Sequence, residues 1–153
     1  MGFMDKLKSA AQAVTGGAAR VTLEYQPPVV FPGDTVQVHI TAVSTGAEVQ
    51  SRGAFIDLRG QEWVHLTSAE AATEKDVSTS KTSFETSVSI GGPFTLAPNE
   101  TKTWEGTVQV PLTVQPSYTG VYSRHEWNIR GRMESFGNDP DSGWKPLRVG
   151  LKE

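Results

Sequence analysis

From Pro93 to Gly131 the chain reads PFTLAPNETKTWEGTVQVPLTVQPSYTGVYSRHEWNIRG, two alternating segments joined by a proline-rich crossover. Trp104, Gly106, Val108 and Val110 share one phase, and Thr103, Glu105, Thr107 and Gln109 the other. A period of two is the mark of a half-buried strand. Pro111 ends the first strand, because proline has no N–H to give to a ladder. Pro116-Ser117-Tyr118-Thr119-Gly120 supplies turn chemistry. Alternation then resumes, with His125, Trp127 and Ile129 against Glu126, Asn128 and Arg130.

Working outward, further strands are expected over Val21 to Tyr25, Val36 to Ala42, Ala54 to Arg59 (extending toward Val64), Phe84 to Ile90 and Lys145 to Leu151. Pro27-Pro28 and Pro32-Gly33 mark a break and a turn between the first two. Short strands separated by turn signals, with no helix between them, predict an all-β antiparallel sandwich of about seven or eight strands. The 153 residues suffice for one core, so residues 20–153 are expected to form one sandwich domain. Thr67 to Lys81 (TSAEAATEKDVSTSK) has one large apolar residue, Val77, and reads as a solvated loop; Thr67 and Glu70 stand at capping-box spacing, enough for one helical turn.

Residues 1–19 differ. Phe3, Met4, Leu7, Ala11 and Val14 recur at spacings of three and four, which predicts a short amphipathic helix over residues 2–15. Gly16-Gly17 stops it. An isolated helix of this length is marginal in water. Phe3, Met4, Leu7 and Val14 are therefore candidate docking residues, with the chain's own sandwich, a second copy or a membrane as the surface they meet. Two lysines give little charge for membrane attachment, which favours docking on protein, self or partner.

Order and spacing along the chain resemble the arrestin N-like domain. The matching elements are Leu96-Ala97-Pro98-Asn99-Glu100, the strand from Trp104 to Pro111, the Pro116 to Gly120 connection, and Trp127-Asn128-Ile129-Arg130-Gly131. Phe31-Pro32-Gly33-Asp34-Thr35-Val36 matches the turn that opens the family's second strand. The resemblance spans roughly residues 20 to 150 and is nearest to bacterial sporulation-control-type arrestin-like proteins. It implies an immunoglobulin-like, arrestin-like β-sandwich with an adaptor or scaffold role, holding protein partners on extended strand faces and edges. Arrestin-like proteins usually carry two sandwiches in tandem and this sequence has room for one, so self-association is a further expectation.

Composition excludes several function classes. A net charge of −3 and a pI near 5.6 argue against nucleic-acid binding by phosphate neutralisation. Without cysteine there is no disulfide framework, thiol catalysis or thiolate metal site. No apolar run approaches the ~18 residues of a spanning helix. The N-terminal segment is too polar for a secretory core, and Lys6 spoils a myristoylation signal. A cytoplasmic protein is expected.

The search for chemistry finds only partial motifs. His125-Glu126 opens like a zincin helix, but Ile129 stands where the second imidazole belongs and the segment alternates like a strand. Ser78-Thr79-Ser80-Lys81 has serine/lysine spacing without the helix start that chemistry requires. Asn138-Asp139-Pro140-Asp141-Ser142-Gly143 gathers oxygen ligands but misses the EF-hand pattern, and reads as a turn rather than a calcium site. His39, His65 and His125 lie on separate strands. No enzyme, metal or cofactor is expected.

What remains is surface. Arg124, Glu126, Asn128, Arg130, Arg132 and Glu134 form the polar phase of the last long strand. The plain reading is a solvated face with ion pairs worth ~0.2–1 kcal/mol each. The sharper one makes Arg124, Arg130 and Arg132 a grip for an acidic or phosphorylated partner, since guanidinium forks bind such groups bidentately. Trp104 and Trp127 fall in apolar phase; Trp63 and Trp144 lie near strand ends. Two other readings are a carbohydrate- or ligand-binding module, from the tryptophans, and a structural subunit of a phage or secretion-type assembly.

Overall fold

A computed structural model describes residues 19–135 and 139–151. Two sheets pack face to face. The smaller has the order β1-β3-β7, from Ala19–Gln26, Thr35–Ser44 and Thr101–Gln109. The larger has the order β2-β10-β9-β4-β5, from Val29–Val30, Lys145–Val149, Ser123–Ser135, Val49–Leu66 and Val77–Gly91. β6 (Phe94–Leu96) pairs with β4, and β8 (Tyr118–Thr119) with β9.

Of these strands, β2, β6 and β8 are two or three residues long, so the longer ones match the expected sandwich. One pairing departs from the antiparallel expectation: β2 lies parallel to β10, Val30 beside Val149. Prolines 27 and 28 end β1 and send the chain across to the other sheet, where the Arg148 N–H donates to Pro28 O at 3.0 Å.

The core is the inner phase of both sheets. Val21, Leu23, Val36, Val38, Ile40 and Ala42 meet Ile56, Leu58, Trp127, Ile129, Met133, Leu147 and Val149, all buried. Each large aliphatic side chain contributes about 1.5–3 kcal/mol on burial. Trp104 is only half-buried, its ring tilted against Phe94 with centroids 4.6 Å apart near the sheet margin.

The turn motifs do what their residues allow. Gly33 has φ +90, and its neighbours close the turn: the Asp34 N–H donates to Phe31 O at 2.9 Å, and Asp34 Oδ2 accepts from the Phe31 N–H at 3.0 Å. Glu100 closes the next turn, its Oε1 accepting from the Ala97 N–H at 2.8 Å. In the crossover, Gln115 O accepts from Trp127 Nε1 at 2.8 Å and the Ser117 N–H donates to Val149 O at 2.7 Å. Buried polar groups of β9 and β10 thereby anchor the crossover.

Thr67 to Lys81 is more ordered than its composition predicts. Thr67 and Glu70 form the capping box of a single turn, α1 (Ser68–Ala71), and β5 already begins at Val77. Here β4 and β5 run past the core, so Val77 to Ser83 of β5 is exposed on both faces and carries no apolar alternation. Ladder hydrogen bonds hold them instead. The predicted helix over residues 2–15, with Phe3, Met4, Leu7 and Val14, lies outside the described residues. No helix among the described residues is long and apolar enough to cross a membrane.

Candidate functional site

The outer face of the larger sheet is built from the outward phases of β4 and β9. Their register places Phe55 opposite Arg132, Asp57 opposite Arg130, Arg59 opposite Asn128, Gln61 opposite Glu126 and Trp63 opposite Arg124. Residues directly opposite one another on a sheet face are in contact range. Three interactions of arginine with a partner group follow from that ladder.

Asp57 is the centre. It is 2 % exposed although it points away from the apolar core. Its Oδ2 accepts from Arg130 Nε at 2.9 Å and from Arg132 Nε at 2.9 Å, and Oδ1 accepts from the Ser87 hydroxyl at 2.5 Å. Burial pushes this carboxyl up, but the Ser87, Arg132 and Arg130 hydrogen bonds outweigh it and hold it below the ordinary carboxylate range. Burial likewise works against the Arg132 charge, and Asp57 more than restores it. Arg132 also reaches Glu134 and Asp139, each at 3.4 Å. The result is a fixed ionic knot under a layer of side chains.

That layer consists of cations on rings. Arg59 and Arg130 lie on Trp144, at 4.0 Å and 4.3 Å from the ring centroid. Arg132 sits 4.8 Å over Phe55, and Arg124 5.1 Å over Trp63. Such stacks contribute about 0.5–1 kcal/mol when exposed. Arg124 is bound besides to Glu126 at 2.9 Å, with both side chains about half exposed. Arg59 differs from the others in having no carboxylate partner among the described residues.

At the far end the face opens into a groove of about 480 Å³, lined by Trp63, His65, Ser78, Ser80, Tyr122 and Arg124 among others. Val121 and Tyr122 on its rim are 89 % and 50 % exposed, and the His65 ring shares a 2.6 Å hydrogen bond with the Ser78 hydroxyl. Two buried side-chain donors among the described residues lack an acceptor, Arg59 Nε and Trp63 Nε1. Both belong to this face.

The structure thus brings Arg130 and Arg132 together on one carboxylate and leaves Arg124 apart, on Trp63. Asp57 and Arg59, which organise the face, were not among the sequence candidates: only the β4–β9 register shows that Asp57 faces two arginines. His39 lies on the opposite sheet, His65 beside the groove and His125 in the core, so the three imidazoles do not converge. In the acidic turn, Asp139 Oδ1 accepts from the Ser135 N–H at 3.1 Å and Asp141 Oδ1 from the Gly143 N–H at 2.7 Å. Asn138 lies outside the described residues. No group of three metal-ligating side chains occurs among the described residues.

Compared with protein-family models and with curated proteins, the sequence matches none. Among solved structures it is similar to Spo0M, the sporulation control protein from Bacillus subtilis, with a TM-score of 0.61 and 21% sequence identity. The likeness covers 90% of this chain and 51% of that one, so the chain spans about half the length of the protein it matches. Two twisted sheets in this order, with the proline-bounded strands and anchored crossover described above, make the chain an arrestin-like β-sandwich in fold.

Proposed function

We propose that the chain is a non-enzymatic adaptor, regulatory in kind, that binds a protein partner on the outer face of its larger sheet. The single observation that supports this reading is the face itself, where Asp57 pins Arg130 and Arg132 and four guanidinium groups lie on three aromatic rings. Interfaces favour tryptophan, tyrosine and arginine anchors. Here the Asp57 knot fixes Arg130 and Arg132 in advance, so ordering them costs little when a partner arrives. Arg59 and Arg124 are the arginines that meet it, and carboxylates or other anionic groups are what they fit. The structural likeness to a sporulation control protein fits a regulatory role for such a face. The N-terminal residues Phe3, Met4, Leu7 and Val14 are proposed as a second docking element, on a partner or a second copy.

The test is capture from host lysate, followed by hydrogen-exchange mapping of the complex. Protection of β4 and β9 around Arg59 and Trp63, lost in Arg59→Ala, is the expected result. Protection confined to the smaller sheet, or capture that depends only on residues 2–17, would overturn the assignment of the face. A second reading, a glycan- or ligand-binding groove, is favoured by Trp63 and Tyr122 lining one groove beside several hydroxyls. A shift of tryptophan fluorescence with a glycan panel, absent in Trp63→Leu, would move the proposal there.

A further inference from the structure

A serine and a buried imidazole meet on the opposite side of the same sheet. The β4–β5 ladder passes from Gly60 opposite Phe84 to Gln61 opposite Thr82, which leaves Ser83 as the extra residue of a bulge. Bulges re-aim a side chain. Here the Ser83 hydroxyl comes to 2.6 Å from His125 Nε2. Gly60 makes the room, since a Cβ there would lie 2.8 Å from Ser83 Oγ and 3.2 Å from the Trp127 ring. Any other residue at position 60 would push the hydroxyl away.

His125 is 1 % exposed, and its Nδ1 stands 3.0 Å from Pro116 O. A carbonyl only accepts, so Nδ1 carries the proton and the Nε2 lone pair faces the serine. The ring is held further by stacking with Tyr118 and by the edge of Trp127. A hydroxyl, a base and a third group that orients the base form the arrangement of an activated nucleophile. Ser83 is an exposed residue on the edge strand of the sheet, and its hydroxyl's contact with His125 is partly buried. The other serine–histidine pair, Ser78 with His65, is exposed on both members and its imidazole is not buried.

We propose that Ser83 is a nucleophile activated by His125, an acceptor of acyl groups from esters. Oγ attacks the ester carbonyl carbon while its proton passes to His125 Nε2. The tetrahedral adduct then collapses, the bond to the leaving oxygen breaks, and that oxygen takes the proton back from the imidazolium. The products are an O-acyl Ser83 and a free alcohol, with no oxidant or reductant involved. This makes the chain an acyl acceptor at one site and leaves the adaptor reading untouched.

The full chain is incubated with 4-nitrophenyl acetate or a fluorophosphonate reporter, and the modified peptide is identified by mass. Modification of Ser83 is expected, lost in Ser83→Ala and slowed on the order of 100-fold in His125→Gln and in Gly60→Ala, the usual lower range for removal of a general base. Ser83 is exposed, so its alanine variant folds and keeps the test readable even if the two buried variants do not. No modification at Ser83, or modification no faster than at Ser78 and Ser80, would overturn the proposal.

Discussion

The two outer faces of the sandwich have the same geometry and opposite constructions. On the smaller sheet Thr35, Gln37, His39 and Thr41 face Gln109, Thr107, Glu105 and Thr103, short or neutral side chains with one loose pair, His39 to Glu105 at 3.3 Å. On the larger sheet the corresponding positions bury a carboxylate, bind two arginines to it and lay four guanidinium groups on three rings. The first face is a sheet of mostly exposed side chains. The second has its own electrostatic interior. A solvated face tolerates change at any position, whereas a face with buried charges depends on each member, because removing one strands the others.

The strongest way to test that contrast is Asp57→Ala. Arg130 and Arg132 would be left without their shared carboxylate, and a loss of about 3–5 kcal/mol in urea unfolding is expected. An effect below about 1 kcal/mol would mean that the knot is ornamental. Acid titration probes the same group without mutation. Because the folded-state carboxyl is held below its unfolded value near 3.9, its contribution is fully present above that value and disappears as pH falls through the folded one. Stability should therefore drop below about pH 4 in the natural chain. In Asp57→Asn that part of the drop should be missing.

A smaller effect is expected from Trp144→Leu, which removes the platform under Arg59 and Arg130: roughly 1–2 kcal/mol, from two stacks and some burial. The smallest belongs to the other face. Glu105→Gln removes the partner of His39, and the change in unfolding free energy should stay within about 0.5 kcal/mol, as for surface substitutions generally. A larger loss there would erase the distinction between the faces.

Much of the fold was legible because period-two alternation survives wherever one face is buried. Trp127, Ile129, Val108 and Val110 all occupy the core as their phase predicts. The pattern failed at Val77 to Lys81, where the strand leaves the core and hydrophobicity no longer reports on pairing. The site was less legible. Arg124, Arg130 and Arg132 stood out as a polar phase, but their meaning depends on residues about 60 to 75 positions earlier on β4. Asp57 sits between Ile56 and Leu58 like any outward strand residue, and nothing local marks it as buried. Ser83 with His125 was equally hidden, since a bulge and the glycine opposite it have no periodicity to betray them.

The central claim is that partners dock on the large-sheet face. The most direct measurement compares capture of a bound protein by three chains: the natural one, one carrying Arg59→Ala with Arg124→Ala, and one carrying Thr103→Arg on the smaller sheet. Loss of the partner in the double variant alone, with folding intact in all three, is the predicted result. Undiminished capture by the double variant, or loss only in Thr103→Arg, would contradict the account.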